Sequence, residues 1–168
     1  MERTENSAGS VNSSFTFITY KVDSFSFNME NHLFALMHNY KIGDWVSRIA
    51  MRPPVHIKEK GLYLVTIGFM SKFIPNKEKP DVSFANIEVS LTGAFSSDGR
   101  YPKEIEDDMA KIQMPSLLMP YLRGVVTTFL CSSGCDPYIF PLLNIQELAT
   151  RMLSDKEIIV LSEEEANA

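Results

Sequence analysis

The sequence predicts an α+β domain, with helices packed on one face of an antiparallel sheet. Three observations predict it. Strand-patterned segments come first and helix-patterned segments last, an order that segregates the two kinds of element. The strand segments alternate apolar and polar residues with a period of two. The chain has 168 residues, 45% hydrophobic and 22% charged, which suits one domain with a buried core.

The elements follow in order. Residues 1–13 are rich in Ser, Asn, Gly and Glu and are expected to be mobile. They lack the apolar h-region of a secretion signal. No uninterrupted apolar run approaches the roughly 18 residues of a membrane span, so a soluble, cytoplasmic protein is expected. The domain proper is placed at 14–153. Its first strand is FTFITYKVDSFSFNM, residues 15–29. Phe25, Phe27 and Met29 alternate there with Ser24, Ser26 and Asn28. Phe15 and Phe17 share that parity, but Ile18, Tyr20 and Val22 do not. A bulge near 18–23, or burial on both faces, accounts for the switch.

Residues 30–45 (ENHLFALMHNYKIGDW) carry Leu33, Leu36, Met37 and Tyr40 at helical spacing, interrupted by His, Asn and Gly. They read as an irregular excursion. A short strand follows at 46–51, stopped by Pro53 and Pro54, which cannot donate to a ladder. The clearest strands are LYLVTIGFMSKFI (62–74) and VSFANIEVSLTGAFS (82–96), joined by the polar turn PNKEKPD. In the second, Ala85, Ile87, Val89, Leu91 and Phe95 face the core. Phe84, Asn86, Glu88, Ser90 and Thr92 face the other way. Residues 97–113 read as a charged, turn-rich connection.

The stretch MPSLLMPYLRGVVTTFLCSSG (114–134) predicts a helix with Pro120 in its first turn, where a missing N–H costs least, and Gly134 at its end. Leu122, Val125, Val126, Phe129 and Leu130 form one apolar stripe. Burying those five contributes roughly 7–15 kcal/mol gross, at about 1.5–3 each. A second face holds Tyr121, Gly124, Thr128 and Cys131. Gly124 costs about 1 kcal/mol of helix propensity against Ala, and close approach of another helix would explain it. This face therefore suits a second subunit; a wholly intramolecular core helix is the alternative.

DPYIFPLLNIQELATRM follows at 136–152. Pro137 and Pro141 bracket Tyr138, Ile139 and Phe140. Asn144 and Glu147 make an N-cap and N3 pair for a second helix at 145–153. The linker before it is strongly apolar for a loop, and such loops cap a core or line a groove. Residues 154–168 read as an acidic tail ending SEEEANA.

Several functions lose support. A net charge of −5 with no Lys/Arg cluster argues against nucleic-acid binding. His32, His38 and His56 have no metal-ligand spacing, and no H-E-x-x-H occurs. Cys131 and Cys135 cannot build a disulfide framework and are expected to be buried, inert thiols. EIEDD (104–108) lacks calcium-loop order and reads as a solvated turn. No phosphate-binding glycine motif is present. Neither cofactor nor metal nor enzymatic chemistry is expected.

The series MPSLLMPYLRGVV…PYIFPLLNIQEL resembles the C-terminal half of SecB, the bacterial protein-export chaperone family. Pro115, Leu118, Pro120, Tyr121 and Arg123 match the family's helix start. Pro137 or Pro141, then Asn144 and Leu148, match its second helix. Upstream, FANIEVSLTGAFS is similar to a family strand through Glu88, Val89, Gly93 and Phe95, and SFSFN resembles the first strand. The likeness spans roughly residues 15–153.

The resemblance implies a four-stranded antiparallel sheet with two C-terminal helices on one face. It also implies a homotetramer, a dimer of dimers, with the long helix at subunit interfaces through Tyr121, Gly124, Thr128 and Cys131. Such proteins hold unfolded preproteins in apolar grooves without ATP and pass them to the SecA ATPase. Nine methionines suit promiscuous apolar contact. Client contacts are expected at Phe34, Trp45, Tyr138, Ile139, Phe140, Leu142, Leu143 and Leu148, with core packing as the alternative for each. Glu88 matches an acidic SecA-contact position. Ser24 and Asn28 stand where acids are expected, although a one-residue shift brings in Asp23. The family's zinc-dependent tail contact is not reproduced by SEEEANA. Some SecB-like proteins instead serve antitoxins of toxin–antitoxin systems. A small ligand-binding or catalytic α+β domain is a further alternative.

Overall fold

Three long strands make the body of the sheet in the computed structural model, which describes residues 14–31, 44–74, 78, 81, 83–134 and 140–168. They are β1 (Phe15–Met29), β4 (Leu62–Ile74) and β5 (Ala85–Ser97), and β5 lies antiparallel between the other two. The far side of β4 is shared. β2 (Asp44–Met51) pairs with its second half and β3 (Val55–Ile57) with its first residues. Pro53 and Pro54 separate the two, as proline must where a ladder donor is missing.

A sixth strand, β6 (Ile159–Leu161), lies parallel to β3. The sheet is therefore six-stranded and mixed, not the four-stranded antiparallel sheet expected. Two physical causes account for the difference. The proline pair splits the fourth lane into β2 and β3. The C-terminal segment, read from sequence as a tail, supplies β6 and a short helix, α3 (Glu163–Ala166). The N-terminal segment 1–13 and most of the excursion at 30–45 lie outside the described residues.

Two further helices complete the α+β architecture: α1 (Lys103–Ser132) and α2 (Ile145–Leu153). α2 has the expected bounds and cap. The Glu147 N–H donates to Asn144 Oδ1 at 3.2 Å, and Asn144 Nδ2 returns a bond to the Glu147 carboxylate at 3.5 Å.

α1 differs from expectation. It is 30 residues long, it absorbs the supposed turn at 103–113, and both Pro115 and Pro120 lie inside it. The reason is a buried row spaced by four: Glu106, Ala110, Met114, Leu118, Leu122, Val126 and Leu130. Four residues exceed a full turn by about 40°, so this row winds around the helix as an i±4 ridge does. A winding face shows no single stripe, and its first turns look merely charged. Each proline costs about 3 kcal/mol in a helix interior. Burial of Met114, Leu118, Met119 and Leu122 in the same turns returns about 1.5–3 kcal/mol each.

The core lies between the sheet and α1. Along β4, Tyr63, Val65, Ile67 and Phe69 are buried; along β5, so are Ala85, Ile87, Val89, Leu91 and Phe95. The inward set predicted for β5 is correct. Gly93 marks the closest approach of helix to sheet: a Cβ there would sit 2.3 Å from Leu118 Cδ2. Gly61 turns the chain after the 3₁₀ segment Lys58–Lys60 with φ of 56°, in the left-handed region that favours glycine. β1 carries register shifts at Phe17/Thr19 and Val22/Ser24, the expected bulge. Beyond the first shift, Ile18, Tyr20 and Val22 remain exposed. Cys131 is also exposed, contrary to the expected buried thiol; it lies on the outer side of α1, away from the buried row. Cys135 lies outside the described residues.

Candidate functional site

Phe140 and, at helical spacing, Ile145, Ala149 and Leu153 of α2 meet the core. Phe140 is buried, its ring 4.7 Å from that of Phe69. The Arg123 guanidinium of α1 lies 5.5 Å from the same ring, within cation–π range. Phe140 is thus an anchor under the linker, the core-packing alternative. Leu142 is 89% exposed and Leu143 42% exposed. Asn144 then caps α2, which turns Ile145, Ala149 and Leu153 inward. Glu147 and Arg151 pair on its outer side. Leu148 is half-buried against the main core.

Trp45 also packs half-buried against the core, edge-on to Phe73 at 5.6 Å. It belongs to β2, beside which α2 packs. Of the expected client contacts, Trp45 and Leu148 therefore stand on adjacent elements. Leu142 and Leu143 project from the linker, and Phe140 holds it down. Phe34, Tyr138 and Ile139 lie outside the described residues.

The α1 face expected to meet a second subunit adjoins β1 residues that the sequence does not single out as a site. β1 and α1 meet in an aromatic seam. Phe17 stacks on Tyr121 at 5.1 Å, Tyr20 lies 4.7 Å from Tyr121, and Phe25 lies edge-on to Phe129 at 4.4 Å. Around it Ile18, Val22 and Leu117 are exposed. The available signal was the parity break at Ile18, Tyr20 and Val22. Tyr121, Gly124, Thr128 and Cys131 are all exposed on α1. Among the described residues no heavy atom lies within 4 Å of a Cβ built on Gly124, so no described neighbour requires that glycine.

The outer sheet face is small and hydroxyl-rich. Glu88 is exposed there, between Met70 on β4 and Ser26 on β1. Ser24 pairs with Ser90, and Asn28 with Asn86. Asp23, at the second bulge, accepts a 2.6 Å bond from Thr92 Oγ1 and pairs with Lys21. A depression of about 120 Å³ opens between Arg52, Gly68, Met70 and Glu88. That is well below the roughly 300–1,000 Å³ of a ligand pocket.

A polar cluster is buried at the start of α1. The Tyr63 hydroxyl donates to Glu106 Oε2 at 3.3 Å and to Asp107 Oδ1 at 3.1 Å. The Ser97 hydroxyl donates to Glu106 as well. Burial pushes the Tyr63 phenol above its ordinary value, reinforced by the Asp107 and Glu106 carboxylates. The His56 ring lies flat on Tyr63 at 4.2 Å, and burial pulls its pKa below the usual 6.5. Sequence reasoning took EIEDD for a solvated turn. Instead, two of its acids receive a tyrosine and tie α1 to the sheet. The cluster acts as a fastening.

Among the described residues, no helix is long and apolar enough to cross a membrane. No protein-family model matches the chain, and no curated protein does. Solved structures do. The Mycobacterium tuberculosis SecB-like chaperone Rv1957, solved in complex with a ChAD peptide from the HigA1 antitoxin, aligns with a TM-score of 0.58 at 10% identity. The match covers 78% of this chain and 91% of that one. A protein of unknown function from Streptococcus agalactiae aligns over 77% of this chain and 97% of that one, at 7% identity. Its TM-score of 0.31 is too low to carry a fold assignment. At this identity the likeness to Rv1957 is one of architecture: the chain has the fold of a SecB-like chaperone.

Proposed function

We propose that the chain is an ATP-independent holdase in the cytoplasm, which binds unfolded or extended polypeptides and keeps them from folding. The observation that carries this reading is an exposed leucine pair, Leu142 and Leu143, anchored through Phe140 on a SecB-like fold. Exposed apolar side chains on a rigid support are what promiscuous apolar binding needs. Client contacts are assigned to Leu142, Leu143, Leu148 and Trp45, with Phe34, Tyr138 and Ile139 as further members. Assembly is assigned to a homotetramer, a dimer of dimers, through the α1 face of Tyr121, Gly124, Thr128 and Cys131.

The destination of the client has two readings. In the export reading preproteins are handed to a SecA-type ATPase through Glu88. In the second, the client is an antitoxin. Two points favour the second: the SecB resemblance expects acids where Ser24 and Asn28 stand, unless a one-residue shift brings in Asp23, and Rv1957 was solved with an antitoxin peptide. The test is light scattering coupled to size exclusion, with and without a permanently unfolded chain and without ATP. A mass near four subunits that rises with the unfolded chain supports the holdase; a monomer that ignores it refutes the reading. A SecA-binding assay on Glu88→Lys then separates the destinations.

A further inference from the structure

Beyond Ile158, which packs half-buried against the core, the C-terminal segment is a part of the fold that the proposed client surface does not use. It leaves α2 at Leu153 and lies down as β6 beside β3. Val55, His56 and Ile57 pair with Ile159, Val160 and Leu161. The Ile159 N–H donates to the Pro54 carbonyl at 3.0 Å. α3 follows, closed by a capping box between Ser162 and Glu165. Two contacts latch it to the 3₁₀ turn after β3. Lys60 Nζ lies 2.7 Å from Glu163 Oε1, and the Glu163 N–H donates to Glu59 Oε2 at 3.0 Å.

This attachment is shallow. Ile159 and Val160 stay 47% and 45% exposed, and about half of each latch side chain faces water. An exposed ion pair contributes little, and a three-residue parallel pairing contributes a few exposed backbone bonds. Segments with so few buried contacts open most readily. The chemistry of what is docked is also informative. An extended apolar triplet, followed by acids, is held on a sheet edge by main-chain bonds that do not read sequence. β2 and β3 succeed each other along the same side of β4, and α2 packs beside β2. β6 therefore lies on the same edge of the sheet as Trp45, toward the opposite end of β4.

We propose that residues 159–166 are a displaceable occupant of the β3 edge, competing there with an extended polypeptide whose apolar stretch is followed by acidic residues. The proposal rests on the holdase reading above. The apparent affinity for a client is then the intrinsic affinity reduced by the fraction of molecules whose tail is open. Weakening the latch raises that fraction. Loss of one backbone bond from so short a strand corresponds to about a fivefold change.

The test uses the full chain and labelled, reduced and carboxymethylated lactalbumin as the permanently unfolded probe, read by fluorescence anisotropy. Ile159→Pro removes the donor to Pro54. Lys60→Glu sets one further carboxylate against Glu163 at the latch. Lys60→Glu combined with Glu163→Lys restores an opposite pair. The two single variants are expected to bind the probe about fivefold more tightly, and the charge swap to return to the parent affinity. In the parent, saturating probe is expected to speed hydrogen exchange at residues 159–161. Unchanged affinity in variants whose β6 amides exchange faster overturns the proposal and leaves the tail as an edge cover. Failure of every form to bind the probe, with β6 exchange responding to the variants as expected, refutes the holdase reading instead.

Discussion

Phe140 and Leu142 stand two residues apart in sequence and differ by nearly the whole range of burial, with Leu143 between those extremes. Their substitutions should therefore separate stability from binding. Phe140 is 5% exposed and packs on Phe69. Phe140→Ala should cost about 3–5 kcal/mol, the usual cost of emptying a buried aromatic site. Native domains have about 5–15 kcal/mol of stability, so the variant is expected to fold with a lowered urea midpoint and an unchanged slope. Leu142→Ser combined with Leu143→Ser removes one side chain that faces water and one that is partly exposed. Its stability cost should stay within about 1 kcal/mol. Its binding cost should be larger, because a bound client would bury both leucines at about 1.5–3 kcal/mol each before ordering costs. A loss of about tenfold or more in affinity for an unfolded chain is expected. The assay pairs urea unfolding with anisotropy titration of one labelled, unfolded client. A folded double variant that binds as tightly as the parent refutes the client surface. A Phe140→Ala variant that loses less than about 1 kcal/mol refutes the anchoring role.

Other substitutions test the fold and its chemistry. Gly93→Ala places a methyl 2.3 Å from Leu118 Cδ2 and should cost about 1–3 kcal/mol by overpacking. Adding Leu118→Ala should cost less than its effect in the parent background, measurable as a coupling in a double-mutant cycle. His56 has a lowered folded-state pKa, so below about pH 6.5 the unfolded chain binds the proton first and stability falls with falling pH. His56→Phe should flatten that slope; thermal midpoints that fall equally between pH 7 and pH 5.5 in both proteins would remove His56 as the cause. A Cβ at position 124 meets no atom within 4 Å among the described residues, and Gly124→Leu gains helix propensity. It should leave the subunit folded while lowering the molar mass seen by light scattering, and an unchanged mass would show that this face is not an interface.

Local chemistry made much of this fold legible. Period-two alternation marked β1, β4 and β5 and the inward set from Ala85 to Phe95, because a pleated strand must send alternate side chains to opposite faces. Asn144 and Glu147 marked the start of α2, because an N-cap is satisfied within four residues. The order of strands before helices set the class, and the series from Pro115 to Leu148 pointed to the SecB-like architecture. What the sequence could not decide depends on contacts distant along the chain. α1 tolerates Pro115 and Pro120 and extends back to Lys103 because a row of residues winds onto the sheet, and winding erases the single stripe that pattern reading seeks. EIEDD became a fastening only because Tyr63, some forty residues earlier, lies beneath it. Phe140 and Leu142 look alike as residues of an apolar loop, and only Phe69 and Arg123 make one an anchor and leave the other in water. The C-terminal strand was least legible of all. Three apolar residues have no preference strong enough to define a strand until β3 offers its unpaired edge.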